Sequence, residues 1–193
     1  MCAFLWVYIV MESCLRYYKA TFIMRSCDPA TLRITDIWHF RSKKSNKLYI
    51  VEVEHFSRHF LGLKFYWKGV SESKNRYSLL THDYEPRSII MSCVHIMLDY
   101  FRRDRCSSFG FVAADNDVES DGRIVVNKRF RFYRRMMLSL FSPESFVQAY
   151  DVNNSVYVLI NAYMLANGKI TVNIVEDELA LLYCGDYTLN VSN

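Results

Sequence analysis

The stretch Asn127–Phe141, N-K-R-F-R-F-Y-R-R-M-M-L-S-L-F, puts five basic residues among its first nine and sets aromatics between them. Wound at about 100° per residue, Phe130, Phe132, Tyr133, Met136, Met137, Leu140 and Phe141 fill one broad arc. Lys128, Arg131 and Arg135 form a stripe opposite that arc. Arg129 and Arg134 fall at or inside the edges of the apolar arc, where a guanidinium needs a partner. The pattern predicts a helix buried on one side and cationic on the other.

Reading outward from this helix gives its surroundings. Downstream, Phe146–Asp151 and Ser155–Asn161 read as two strands around an Asn153-Asn154 turn. Lys169–Val175 reads as a further strand and Glu176–Tyr183 as a short helix. Upstream, an acidic loop, Asp115–Gly122, follows the short apolar run Ser107–Ala114, which has the character of a buried strand. Before that, Glu85-Pro86 opens a second helix ending near Asp104, with proline at the first helical position. Leu48–Phe56 and Leu61–Lys68 alternate and are joined by Ser57-Arg58-His59, as in an antiparallel hairpin. Leu32–Phe40 alternates loosely, and Arg76–Thr81 reads as a third strand before the helix. The order predicts an α+β or α/β chain with a mixed, largely antiparallel sheet and two main crossover helices.

At 193 residues with 51% hydrophobic and 16% aromatic residues, and only six Gly and three Pro, the chain is expected to form a single, densely packed domain over 1–193. The net charge of +4 is uneven: residues 1–143 carry 23 Lys/Arg against 14 Asp/Glu, whereas 144–193 carry one Lys against six acids. A basic body attracts nucleic acid, a phosphorylated cofactor or an acidic partner, unless the acidic tail 144–193, which includes the C-terminal extension 162–193, neutralises it from within. Six scattered cysteines without a C-x-x-C pair fit reduced thiols rather than a disulfide framework or zinc site. Met1–Val10 is an apolar run too short to span a bilayer and lacking the basic residues of a signal peptide. It reads as a buried first strand, a weak membrane-targeting segment, or an upstream extension with Met11 as the natural start. The expectation is a cytoplasmic protein with no membrane span.

From residue 48 the element order resembles the second half of the GCN5-related N-acetyltransferase fold. There, three antiparallel strands precede a cofactor-binding helix, a strand, a second helix and the final strands. Asn127 and Phe132-Tyr133 resemble the N-x-x-A-x-x-[LF]-Y signature of that family's second helix. The resemblance implies acetyl-CoA or another acyl-CoA as cofactor and an amine on a small molecule or protein as substrate. It implies Tyr133 as the acid for the departing thiolate and His82, at a strand end beside a helix N-terminus, as the base. Asp83-Tyr84-Glu85-Pro86-Arg87-Ser88 stands where the family has a glycine-bearing pyrophosphate loop, which leaves Arg87 and Ser88 as phosphate contacts. S-F-G-F, K-R-F-R-x-Y-R-R-M and Y-x-L-I-N also resemble small uncharacterised bacterial proteins, a likeness that carries the element order without a mechanism. The leading expectation is a divergent acyl-CoA-dependent N-acyltransferase or a relic of one.

Set against that is a non-catalytic binding module, of the kind found in defence or toxin–antitoxin systems, using Lys128, Arg131 and Arg135 against nucleic acid or an acidic partner protein. His82 reads equally as a turn residue, with Asp83 capping the helix, and Tyr133 as a core aromatic. His95 and Asp99 lie four apart on one helix face, able to orient each other or simply solvated. His55 and His59 straddle a turn with no carboxylate or cysteine pattern to complete a metal set. Asp117–Gly122 fails as a calcium loop because its twelfth position is Lys128. No metal is expected, and G-x-S-x-G and Walker-type motifs are absent.

Overall fold

Ten strands and four helices make up the computed structural model, which describes residues 16–77, 85–112, 117–118, 124–125, 128–183 and 185–192. Eight strands hydrogen-bond side by side in the order Thr21–Cys27, Ile34–Arg41, Leu48–His55, Phe60–Trp67, Ser108–Val112, Val156–Asn161, Phe146–Asp151 and Asn190–Val191, a mixed and mostly antiparallel sheet, as the alternation in the sequence leads one to expect. Two compact units are distinguished: Met1–His55 with Gly62–Arg105, and Phe56–Leu61 with Cys106–Asn193.

The first unit contains β1 (Thr21–Cys27), β2 (Ile34–Arg41), β3 (Leu48–His55), most of β4 (Phe60–Trp67) and helix α1 (Pro86–Arg103). In β2 the period of two buries Asp36, Trp38 and Phe40 and leaves the residues between them half-buried. The antiparallel register sets Trp38 against Val51 and Phe40 against Tyr49. Pro86 starts α1 without sacrificing an amide donor, and Arg102 and Arg103 sit in its last turn, where cations suit the helix dipole. Ile89, Ile90, Cys93, Val94, Met97, Tyr100 and Phe101 are buried on α1 as its 3.6-residue period requires.

The second unit contains β5 (Ser108–Val112), the short pair β6 (Asp117–Val118) and β7 (Ile124–Val125), helix α2 (Lys128–Leu140), β8 (Phe146–Asp151), β9 (Val156–Asn161), helices α3 (Ala162–Ala166) and α4 (Val172–Tyr183), and β10 (Asn190–Val191). V-Y-V-L-I-N of β9 is buried at every position, because β5 and β8 flank it and apolar side chains cover both faces. The core here gathers Phe60, Val158, Ile160, Met164, Val175 and Leu179. Gly110 is required for it: a β-carbon there would meet the buried Phe60 ring at 2.7 Å. The turn before β4 places Arg58 and His59 at φ of 55° and 61°, a two-residue left-handed conformation usually given to Asn-Gly. The His59 carbonyl accepts the Ser108 N–H at 2.8 Å, which ties the turn to the start of β5.

Three assignments from the sequence change. Arg76 and Tyr77 lie in turn rather than strand, held by Glu52, while 78–81 fall outside the described residues. The three antiparallel strands leading up to α1 are thus β2, β3 and β4, with β1 ahead of them. The strand expected at Lys169–Val175 is instead the approach to and first turns of α4. Thr171 Oγ1 accepts the Ile174 N–H at 3.2 Å as a helix cap, and Val175 and Leu179, four apart, are buried together. Local β-branched preference loses to burial of one helical face. The acidic loop Asp115–Gly122 contains β6, which pairs with β7.

Candidate anion-binding site

Helix α2 turns Phe130, Tyr133, Met136 and Met137 inward, each at most 8% exposed, and leaves Arg131 and Arg135 in solvent. A cleft of about 680 Å³ opens along this helix. Arg131, Arg134, Arg135 and Ser139 form its polar lining, and Phe130, Leu138 and Val152 its apolar lining. Arg131, Arg134 and Arg135 stand at i, i+3 and i+4, so three guanidiniums project from a single helical turn.

Arg134 is the fixed member. Its guanidinium stacks over the Tyr150 ring at 4.3 Å, the partner that its position on the edge of the apolar arc demanded. Its Nε is buried and has no hydrogen-bond acceptor among the described residues. Its charge reaches Tyr157: burial raises that phenol well above the usual tyrosine range, and Arg134 opposes the rise. Tyr157 itself donates to Gln148, whose amide donates to the Phe141 carbonyl at 3.0 Å. Arg131 and Arg135 make no ion pair among the described residues.

The acidic C-terminal extension does not neutralise these cations within its described part. Glu176 accepts the Leu189 N–H at 2.6 Å, Glu178 accepts from Ser57, and Asp151, just before the extension, accepts from Asn153, Asn154 and Thr188.

The other expected site residues are dispersed. Tyr133 is on the opposite, buried face of α2, with its ring 6.5 Å from that of Phe111. Lys128 begins α2, and its side chain lies outside the description. His82 lies outside the described residues. Arg87 is exposed and Ser88 half-buried in the first turn of α1, in the other unit. Directly before them, Glu85 is buried at the N-cap, and its carboxylate accepts Ser42 Oγ at 2.6 Å, Ser45 Oγ at 2.9 Å and Tyr18 Oη at 2.5 Å. Burial is the first cause that raises the Tyr18 phenol, and the Glu85 contact adds to it. The positive end of α1 is therefore already matched by a carboxylate, and no glycine opens its first turn.

His55 and His95 have partners of their own. His55 donates to or accepts from Asp36 at 2.9 Å rather than facing His59 as a ligand. Among the described residues no group of three His, Cys, Asp or Glu is placed to hold a metal ion. His95 stacks on Tyr17 at 3.5 Å, and Asp99 pairs with Arg102, so this histidine and aspartate do not orient each other.

Asp36 is a centre that sequence reasoning missed. It is 2% exposed and accepts from Arg25 Nε at 2.6 Å, Arg25 Nη2 at 2.9 Å and Tyr100 Oη at 2.5 Å, besides the His55 contact. Burial alone would raise its carboxyl, but the hydrogen bonds from Arg25, Tyr100 and His55 outweigh that and hold it at about 2. The partners lie 11, 19 and 64 residues away, so no local pattern announces them. Ser139, also missed, becomes visible only once Val152 closes the cleft.

No helix among the described residues is long and apolar enough to cross a membrane. The chain matches no protein-family model, no curated protein and no solved structure.

Proposed function

We propose that the protein is a non-catalytic binding module that takes an anionic ligand, nucleic acid or the acidic face of a partner protein, in the α2 cleft. One observation carries this reading: three guanidiniums share the cleft, and no described carboxylate answers them. Surface cations are normally dispersed or paired; three within one turn repel each other by a few tenths of a kcal/mol per neighbouring pair. Such an arrangement stores attraction for an incoming anion. The test is binding of a labelled single-stranded oligonucleotide and of polyglutamate as salt is raised. For three phosphate contacts, log affinity for the oligonucleotide should fall against log salt with a slope of about −2. Arg131→Ala with Arg135→Ala should flatten it to about −0.7. If neither probe binds at low salt, the reading fails.

A second reading, the divergent acyl-CoA-dependent N-acyltransferase, is favoured by the element order. Strands precede α1, and β5, the short β6–β7 pair, α2, β8 and β9 follow it. In that reading His82 is the base, Tyr133 the acid, and Arg87 and Ser88 the phosphate contacts. The residues described at the start of α1 do not suit a diphosphate: Glu85 occupies the helix end, and the turn has no glycine to admit phosphate oxygens. Fold-level likeness without a fitting site is a weak warrant for an activity. Thermal unfolding with acetyl-CoA separates the two readings. A cofactor at 100 times its Kd would add about 2.7 kcal/mol, and no shift at millimolar acetyl-CoA removes the enzyme reading.

A further inference from the structure

We infer that the α2 cleft recognises a terminal phosphate monoester attached to a nucleoside, presented by a free nucleotide or by the 5′-phosphorylated end of a single strand. The inference rests on the reading of this cleft as an anion site and specifies its ligand.

Charge density comes first. Arg131, Arg134 and Arg135 bring three positive charges to one helical turn. Neighbours at i, i+3 and i+4 have side-chain roots about 5–6 Å apart, so their forks can converge on one group. A phosphate monoester carries about −1.5 to −2 near pH 7 and offers three acceptor oxygens, whereas an internal phosphodiester carries one charge. A run of diesters, or of carboxylates along an acidic peptide, calls for cations spread along a track. The three guanidiniums that line the cleft are instead gathered within five consecutive residues of one helix, Arg131 to Arg135.

Arg134 supplies the geometry. Stacked on Tyr150, it has surrendered much of its conformational freedom before any ligand arrives. A planar fork held in this way meets two phosphate oxygens at once. Arg131 and Arg135, exposed on either side of it, can close over the remaining oxygen.

The rest of the cleft is not built for phosphate. Leu138, 48% exposed, and Val152 offer apolar surface, which suits the face of a base or sugar rather than further charge. Ser139 donates its hydroxyl to the Met136 carbonyl at 2.8 Å. Its oxygen is therefore left as an acceptor, able to receive a ribose hydroxyl or an exocyclic amine. A volume of about 680 Å³ accommodates one nucleotide unit.

The experiment is isothermal titration of the full chain at low salt with AMP, GMP, CMP and UMP, with adenosine, and with inorganic phosphate. A single-stranded oligonucleotide with and without its 5′-phosphate and polyglutamate complete the set. Expected are binding of at least one nucleotide or of the 5′-phosphorylated strand, and at least tenfold weaker binding of the matched form without phosphate. Nucleotide binding with no strand binding identifies the free nucleotide as the source; preference for the phosphorylated strand identifies the strand end. Arg134→Met and the double variant Arg131→Ala/Arg135→Ala should each weaken that binding at least tenfold in protein that remains folded, while Lys169→Ala leaves it alone. Equal binding of the two strands, or polyglutamate binding lost in the double variant with no nucleotide binding, overturns the monoester inference and leaves the cleft as a polyanion site. No binding by any probe overturns both, and so does nucleotide binding that none of the α2 variants weakens.

Discussion

The Asp36 centre and the α2 cleft are two charged regions that obey opposite rules. Around Asp36 a buried carboxylate is met by a guanidinium, a phenol and an imidazole, so every donor aimed at it is satisfied. Trp38 Nε1 extends the network by donating to Tyr100 Oη at 3.1 Å. In the α2 cleft charge of one sign accumulates and the answering group is missing among the described residues. A buried ion is tolerated only when paired, whereas an exposed cluster survives because water screens it. The first arrangement holds a fold together; the second is available to a partner.

The largest effect should come from breaking the satisfied centre. Asp36→Ala leaves Arg25, Tyr100 and His55 facing a void and should cost about 3 kcal/mol, read as a lowered urea midpoint. A loss below about 1 kcal/mol would mean that the cluster is decorative.

Acid should undo the same centre more gently. Asp36 is held at about 2 against an ordinary value of 3.8, so the folded chain binds this proton less readily than the unfolded chain. Its contribution is fully present above the ordinary value and is lost as pH falls from about 4 towards 2, on the order of 2 kcal/mol in all. Urea melts across this window should show the loss, and Asp36→Asn should flatten it. An unchanged slope in that variant would assign acid sensitivity elsewhere.

At the unsatisfied region the expected stability change is small and of opposite sign. Arg131→Glu replaces a like-charge neighbour of Arg135, four residues on, with an opposite charge. It should stabilise the helix by about 0.3–0.5 kcal/mol while abolishing phosphate binding. Such a gain with lost binding would mark the arginine as kept for a ligand. A loss of stability would mean that Arg131 serves the fold.

Much of the architecture was legible. Pro86 and the 3.6-residue period marked α1, the apolar arc marked α2, and Ser155–Asn161 marked a strand after the Asn153-Asn154 turn. Arg134 was legible as a side chain needing a partner, though not that the partner would be the Tyr150 ring. The failures have one cause. I-T-V-N-I-V resembles a strand until Ile170, Val175 and Leu179 are seen to enter a common core, and Asp36 is one polar residue in an alternating run until three distant donors arrive. Where local preference and long-range packing disagree, packing wins.

The central position of β9 has a consequence for a chain made from its N-terminus. β9 spans Val156–Asn161 and joins β5 to β8, so the second unit lacks its middle strand until well after β5 has been synthesised. Until then β5 carries an unpaired edge on the side that β9 will occupy, and S-F-G-F-V is an aggregation-prone segment to leave open. Residues of the first unit are synthesised well before that. The β5 edge stays open while the chain from Val112 to Val156 is made, and chaperones that shield strand edges would act on that stage.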